Sequence, residues 1–128
     1  MNCYDSNFAT INFIKKTKTI EIIWKDYELK SEEYQLILQN ALSLIIEHKA
    51  TSWISDLTQQ KPISEEDSKW VETNIIPTAI KNGISKAAFV VSTNHFKKLY
   101  SNNLAKNISS AGFVFEYFNS REDALKWI

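Results

Sequence analysis

The sequence predicts an α/β protein. It has a five-stranded, mostly parallel sheet, an N-terminal antiparallel hairpin strand and four helices. Three observations carry this. Apolar runs of strand length alternate with stretches whose apolar residues recur every three or four positions, the pattern of strands joined by covering helices. The first two apolar runs flank a tight polar turn, so the first strand runs antiparallel to the second. The chain has 128 residues, within the roughly 100–200 of one domain. It shows no linker, low-complexity tract or internal repeat.

The elements follow in order. Residues 8–14 (FATINFI) alternate as a strand, Lys15-Lys16-Thr17-Lys18 turns, and residues 19–25 (TIEIIWK) return with Ile20, Ile22 and Trp24 on one face. Ser31 suits a helix N-cap, and Glu32 and Glu33 favour the positive end of the dipole. Tyr34, Ile37, Leu38, Ala41, Leu42 and Ile45 make the apolar stripe, Leu36 lies opposite it, and His48 and Lys49 suit the negative end. Residues 51–57 (TSWISDL) form a short strand. Ser64-Glu65-Glu66-Asp67 opens a second helix as a capping-box variant. Trp70, Val71 and Ile75 follow, Pro77 must interrupt or kink the helix, and Gly83 can stop it in the left-handed conformation. Residues 86–92 (KAAFVVS) read as a strand covered on both faces. Thr93 or Asn94 caps a third helix with Phe96, Leu99, Tyr100, Leu104 and Ile108 on one side, and Ala111-Gly112 turns. Residues 113–118 (FVFEYF) are the last strand. Ser120 opens the last helix, which Leu125 and Trp127 dock onto the sheet.

Composition narrows the function. Hydrophobic residues make up 44% and charged residues 23%, which is globular rather than disordered. The net charge is zero and Arg121 is the only arginine, whereas nucleic-acid binders carry a basic surplus and favour arginine forks. We therefore expect no nucleic-acid partner. Cys3 is the only cysteine, so no internal disulfide forms. No segment has the apolar length of a membrane span, and the N-terminus lacks the layout of a signal peptide. A cytoplasmic location is the expectation.

Catalytic signatures are scarce. Gly83 and Gly112 are the only glycines, which excludes a phosphate-cradling or dinucleotide loop. His48 and His95 stand in no metal-binding pattern, so we expect neither metal nor cofactor. His95 follows the fourth strand, where open α/β sheets place ligands, and could serve as a general acid or base; an exposed first-turn residue is the plainer reading. Asp56 ends the third strand and suits a loop cap, a cation or a ligand hydrogen bond. Glu65, Glu66 and Asp67 suit a solvated first turn. The four tryptophans fall on apolar faces, and Trp53 and Trp70 flank the Asp56 loop.

One resemblance covers nearly the whole chain. Its residues are Trp53 and Asp56, then Ile63-Ser64-Glu65-Glu66-Asp67 with Trp70, Ile76-Pro77, Gly83-Ile84, Phe96, and the ending from Phe118 to Ile128. In their order and spacing these resemble the small SpoIIAA-like proteins of the STAS clan. The resemblance implies a SpoIIAA-like fold and a partner protein. It also implies a phosphorylated Ser opening the helix after the third strand, where Ser64 stands. The family's Asp-Ser-Ser-Gly turn is missing here, and a phosphate on Ser64 would sit beside three acidic residues. We therefore expect no phospho-switch. The related lipid-transfer branch implies a ligand pocket instead.

The leading expectation is a non-catalytic regulatory or protein-binding module. The second is a binder of a small apolar or amphipathic, lipid-like ligand held between helices and sheet, and the third is an enzyme using Asp56 and His95. A homodimer is compatible with all three. Asp56, Thr58, Asn94, His95 and Asn119 are the ligand-binding candidates, because parallel strands bring the following loops to one edge of the sheet. A bound ligand is expected near those loops rather than at the turn of Lys15–Lys18.

Overall fold

A computed structural model describes residues 1–61, 63–101, 106–108 and 113–128, excepting the side chains of 98–101 and 106–108. Among these, one sheet has seven strands in the order β1-β2-β3-β4-β5-β7-β6. They are β1 (Asn2–Asp5), β2 (Ala9–Ile14), β3 (Thr19–Trp24), β4 (Ser52–Asp56), β5 (Lys86–Val90), β6 (Lys106–Ile108) and β7 (Val114–Phe118). β1, β2 and β3 pair antiparallel; β3, β4, β5 and β7 pair parallel; β6 adds antiparallel to β7. The α/β class and the antiparallel N-terminal hairpin stand, but five strands become seven. The two additional strands lie at the edges. β1 is held by backbone pairing: the Met1 amino group donates to the Phe13 carbonyl (3.0 Å), and the Phe13 N–H donates to the Met1 carbonyl (2.8 Å). Lys25 Nζ fastens its end, donating to Asp5 Oδ1 (2.8 Å) and to the Ser6 carbonyl (2.6 Å).

Helix α1 (Ser31–His48) crosses from β3 to β4. Its cap is Lys30 rather than Ser31: the Lys30 N–H donates to Glu33 Oε1 (2.9 Å). The Ser31 hydroxyl is free for another partner and donates to Asp67 Oδ2 (3.1 Å). His48 ends the helix with its ring stacked on Phe13, centroids 4.5 Å apart. The crossover from β4 to β5 is one helical stretch of α2 (Glu65–Trp70), a π-helical turn (Val71–Ile75) and α3 (Ile76–Lys81). Ser64 caps it by accepting the Asp67 N–H at 3.1 Å. Pro77 does not end this helix. The Ile76 N–H bonds back five residues to the Val71 carbonyl, and the widened turn admits the ring at the start of α3. Side chains satisfy neighbouring carbonyls: Thr73 Oγ1 donates to Lys69 and Asn74 Nδ2 to Trp70. Gly83, at φ 109°, then stops α3. Its N–H reaches the Ile80 carbonyl (3.1 Å) and the Ile84 N–H reaches Ala79 (3.0 Å), a Schellman closure.

Helix α4 (Thr93–Ser101) is capped by Ser92, which accepts the His95 N–H at 3.3 Å; neither Thr93 nor Asn94 is the cap. The expected apolar side of this helix extended too far, because Ile108 belongs to β6. Leu104 and the Ala111-Gly112 turn lie outside the described residues. Helix α5 (Arg121–Trp127) starts at Ser120, which accepts the Asp123 N–H at 3.2 Å.

Successive parallel strands step across the sheet in one direction. Right-handed crossovers therefore lay α1 and the α2–α3 stretch on the same face. The main core lies between them and alternate strand residues, including Ile11, Ile20, Ile22, Trp24, Ile37, Ile45 and Trp53. The opposite face buries Ile54, Ala88 and Val90 against Ala124 of α5, with Leu125 and Trp127 packed around them. The expected docking of the last helix is thus present.

Candidate functional site

Strand parity decides what this structure can bind. Side chains along a strand point alternately to opposite faces. On the face beneath α1 and α3, the carboxyl ends of the parallel strands present Trp24 from β3, Ser55 and Leu57 from β4 and its exit, Phe89 from β5 and Tyr117 from β7. They floor a cavity of about 190 Å³. Tyr34 and Leu38 of α1 wall one side, and Val71 and Ile75 of the π-helical turn, with Ile76 and Ala79, wall the other. Trp53, Ile63, Ile84, Ala87, Phe113 and Gln60 complete the described lining. The π-helical turn is thus part of the wall, to which it contributes Val71 and Ile75.

The lining is apolar with a few polar groups. Trp53 Nε1 donates to Ser55 Oγ at 2.9 Å, so this buried pair satisfies itself. Tyr34 is 5% exposed. Its ring packs on Trp24, centroids 5.2 Å apart. Among the described residues no hydrogen bond reaches its hydroxyl, and no fully sealed side-chain polar atom is left without a partner, so that hydroxyl borders open space. A second concavity adjoins the first, since Tyr34 and Ile63 line both. Its other walls are polar: Glu28, Lys30, Ser31, Glu33, Lys61, Ser64 and Asp67, with Tyr27 and Leu29. Lys61 is engaged with Asp26 at 3.2 Å.

Burial raises the Tyr34 phenol well above the ordinary tyrosine value of 10.0, and the nearby Asp67 carboxylate pushes the same way. Burial also raises Tyr117. The fold favours the neutral phenol, so this stabilisation is fully present below pH 10.0. It is lost as pH climbs above that value toward the folded-state pKa, at about 1.4 kcal/mol per pH unit for Tyr34. Urea midpoints should therefore fall as pH rises above 10, and Tyr34→Phe should fall less steeply. Equal slopes for the two proteins would contradict this.

None of the five sequence candidates lines either concavity. Asp56 lies one position from Ser55 and Leu57 and so has the opposite parity. Its Oδ1 accepts the Thr58 N–H (3.0 Å) and hydroxyl (2.6 Å), which closes the loop on itself. Thr58, Asn94, His95 and Asn119 are exposed. No hydrogen bond joins Asp56 to His95 among the described residues. The cavity residues that sequence reasoning passed over carried a legible signal. Ser55, Leu57, Phe89 and Tyr117 share the parity of the core residues Trp53, Ala87 and Phe113 earlier along the same strands.

The fold and this cavity define an α/β protein with an apolar concavity over one face of its sheet, under two crossover helices, reaching from Ile84, Ala87 and Phe113 to the carboxyl ends of the strands. Open α/β sheets hold ligands at the carboxyl edge, which one end of this cavity reaches. Comparison with known proteins found no matching family model, no matching curated protein and no matching solved structure. Among the described residues, no group of three or more His, Cys, Asp and Glu is placed to hold a metal ion. No described helix is long and apolar enough to cross a membrane.

Proposed function

We propose that this chain binds one small apolar or amphipathic molecule without transforming it. The supporting observation is the cavity of about 190 Å³, walled by side chains from α1, the π-helical turn, α3 and the strand ends. An engineered apolar cavity of about 150 Å³ takes benzene. The space here therefore suits one ring with a short arm, or a short branched chain, rather than a full acyl lipid. A mostly apolar concavity with a few polar groups is what small-molecule sites look like. The SpoIIAA-like assignment, with the regulatory protein-binding role it implies, is supported by the sequence motifs alone. The cavity is what favours a ligand.

Toluene is a suitable probe, because Trp24 and Trp53 stand in the wall and report occupancy by fluorescence. Saturating toluene should change their emission and raise the melting temperature. Ligand at a hundred times its Kd stabilises by about 2.7 kcal/mol. Ala79→Leu projects a larger side chain from the wall and should abolish the response while leaving the protein folded. An unchanged emission and melting temperature in the wild type would refute the proposal, as would undiminished binding to a folded Ala79→Leu.

A further inference from the structure

We infer that the ligand carries an amine: the apolar cavity takes its body, and the adjoining polar concavity takes a cationic head group at Asp67. This deepens the ligand-binding reading and rests on it. Asp67 is 7% exposed, among the most buried charged side chains of the described residues. A buried carboxylate is costly unless paired with a cation or fully hydrogen-bonded. The one side-chain hydrogen bond to Asp67 comes from the Ser31 hydroxyl, to Oδ2 at 3.1 Å, and no described Lys, Arg or His forms an ion pair with it. Position three of a helix favours a negative charge, but that effect needs no burial.

A second, independent feature points into the same space. Tyr34 lines both concavities, is 5% exposed and has no hydrogen-bond partner for its hydroxyl among the described residues. It lies close enough to Asp67 for that carboxylate to raise its pKa. An ammonium has three N–H donors. Asp67 and the Tyr34 oxygen can both accept from it, and aromatic faces attract cations. An anionic head would meet the Asp67 charge at close range. Of the two lysines lining the polar concavity, Lys61 is already paired with Asp26. The chemistry therefore selects a primary amine on a compact apolar body, a ring with a short arm.

Calorimetric titration with 2-phenylethylamine, 2-phenylethanol and 3-phenylpropionate tests this at neutral pH. The amine should bind at least about tenfold more tightly than the alcohol, a 1.4 kcal/mol difference, and the carboxylate should bind worst. Asp67→Asn keeps the shape and the Ser31 hydrogen bond, and should bring amine and alcohol to equal affinity while alcohol binding persists. Equal binding of amine and alcohol by the wild type overturns the inference, as does a preference that survives in Asp67→Asn or tighter binding of the carboxylate. The wild-type comparison needs no variant to fold. Alcohol binding without amine preference refutes the head-group assignment alone, whereas failure of all three probes together with toluene refutes the cavity reading as well.

Discussion

A chain lacking residues 120–128 is expected to unfold at or near ambient temperature. Helix α5 is the element seen to cover the second face of the parallel strands, where Ile54, Ala88 and Val90 are buried against Ala124. Leu125, Trp127 and Ile128 pack around them, each partly buried. Trp127 also tilts against Phe118 with centroids 5.6 Å apart, and Lys86 Nζ lies 4.9 Å over its ring while donating to its carbonyl (3.1 Å). Full burial of a large apolar side chain contributes about 1.5–3 kcal/mol. Half-burial of three such side chains therefore gives about 3 kcal/mol. Exposing the strand residues beneath and removing the partner of Glu21 roughly doubles this. Total stability of such a domain is about 5–15 kcal/mol, so the deletion removes a large share of it. Circular-dichroism melts of the two chains check this, and coincident melting curves would contradict it.

Arg121→Ala isolates the charged part of that loss. Glu21 sits in the middle of β3 with 1% of its surface exposed. Its carboxylate takes a two-pronged grip from Arg121, with Nε donating to Oε2 and Nη2 to Oε1 at 3.1 Å, and Asn12 Nδ2 reaches Oε1 at 3.5 Å. The same hydrogen bond raises the Arg121 pKa above its already high value. Removing one partner of a buried pair strands the other, at a cost of about 3–5 kcal/mol when both are buried. The Arg121 side chain is 50% exposed, so water reaches the vacated position and a loss of about 2 kcal/mol is expected. Arg121→Lys should recover only part, because an ammonium cannot match the fork. Glu21→Gln added to Arg121→Ala should recover more than half by removing the stranded charge, a coupling of about 1–2 kcal/mol. Urea titrations of the wild type, Arg121→Ala, Arg121→Lys, Glu21→Gln and the double variant measure it. If Arg121→Ala loses less than about 0.5 kcal/mol, or the two changes simply add, the pair does not contribute as argued.

Arg121 also shows why part of this protein was hidden in its sequence. The lone arginine was legible, and its rarity argued against a nucleic-acid role. Its partner lies 100 positions away, between Ile20 and Ile22 of β3. A glutamate in TIEIIW reads as the polar side of an alternating strand. Nothing local says that a helix closing the chain will cover it.

The core strands and helix starts were legible because local physics sets them. Residues 8–14, 19–25, 51–57, 86–92 and 113–118 each contain the observed strand to within two residues at either end. Ser64 and Ser120 cap as their hydroxyls suggest, and Gly83 adopts the left-handed conformation that stops its helix. β1 and β6 were missed because NCYD and KNI carry no alternating apolar pattern; partner strands, not their own sequences, recruit them. Ser31 lost its expected cap role for a similar reason. A serine hydroxyl serves its own backbone or a distant carboxylate, and Asp67 lies 36 residues on.

The candidate site divides along the same line. The sequence by itself determined an α/β chain whose parallel strands bring their carboxyl ends, and so their loops, to one edge. It also determined, through the parity of Trp53, Ser55 and Leu57 against Asp56, that neighbouring residues at that edge face opposite ways. Only the tertiary structure decided which face encloses a cavity. The handedness of the crossovers placed α1 and α3 on one side of the sheet and left the other to α5. The cavity is space left between elements distant in sequence. No residue type encodes such a space, because it depends on how closely α1 and the widened helical turn approach the sheet.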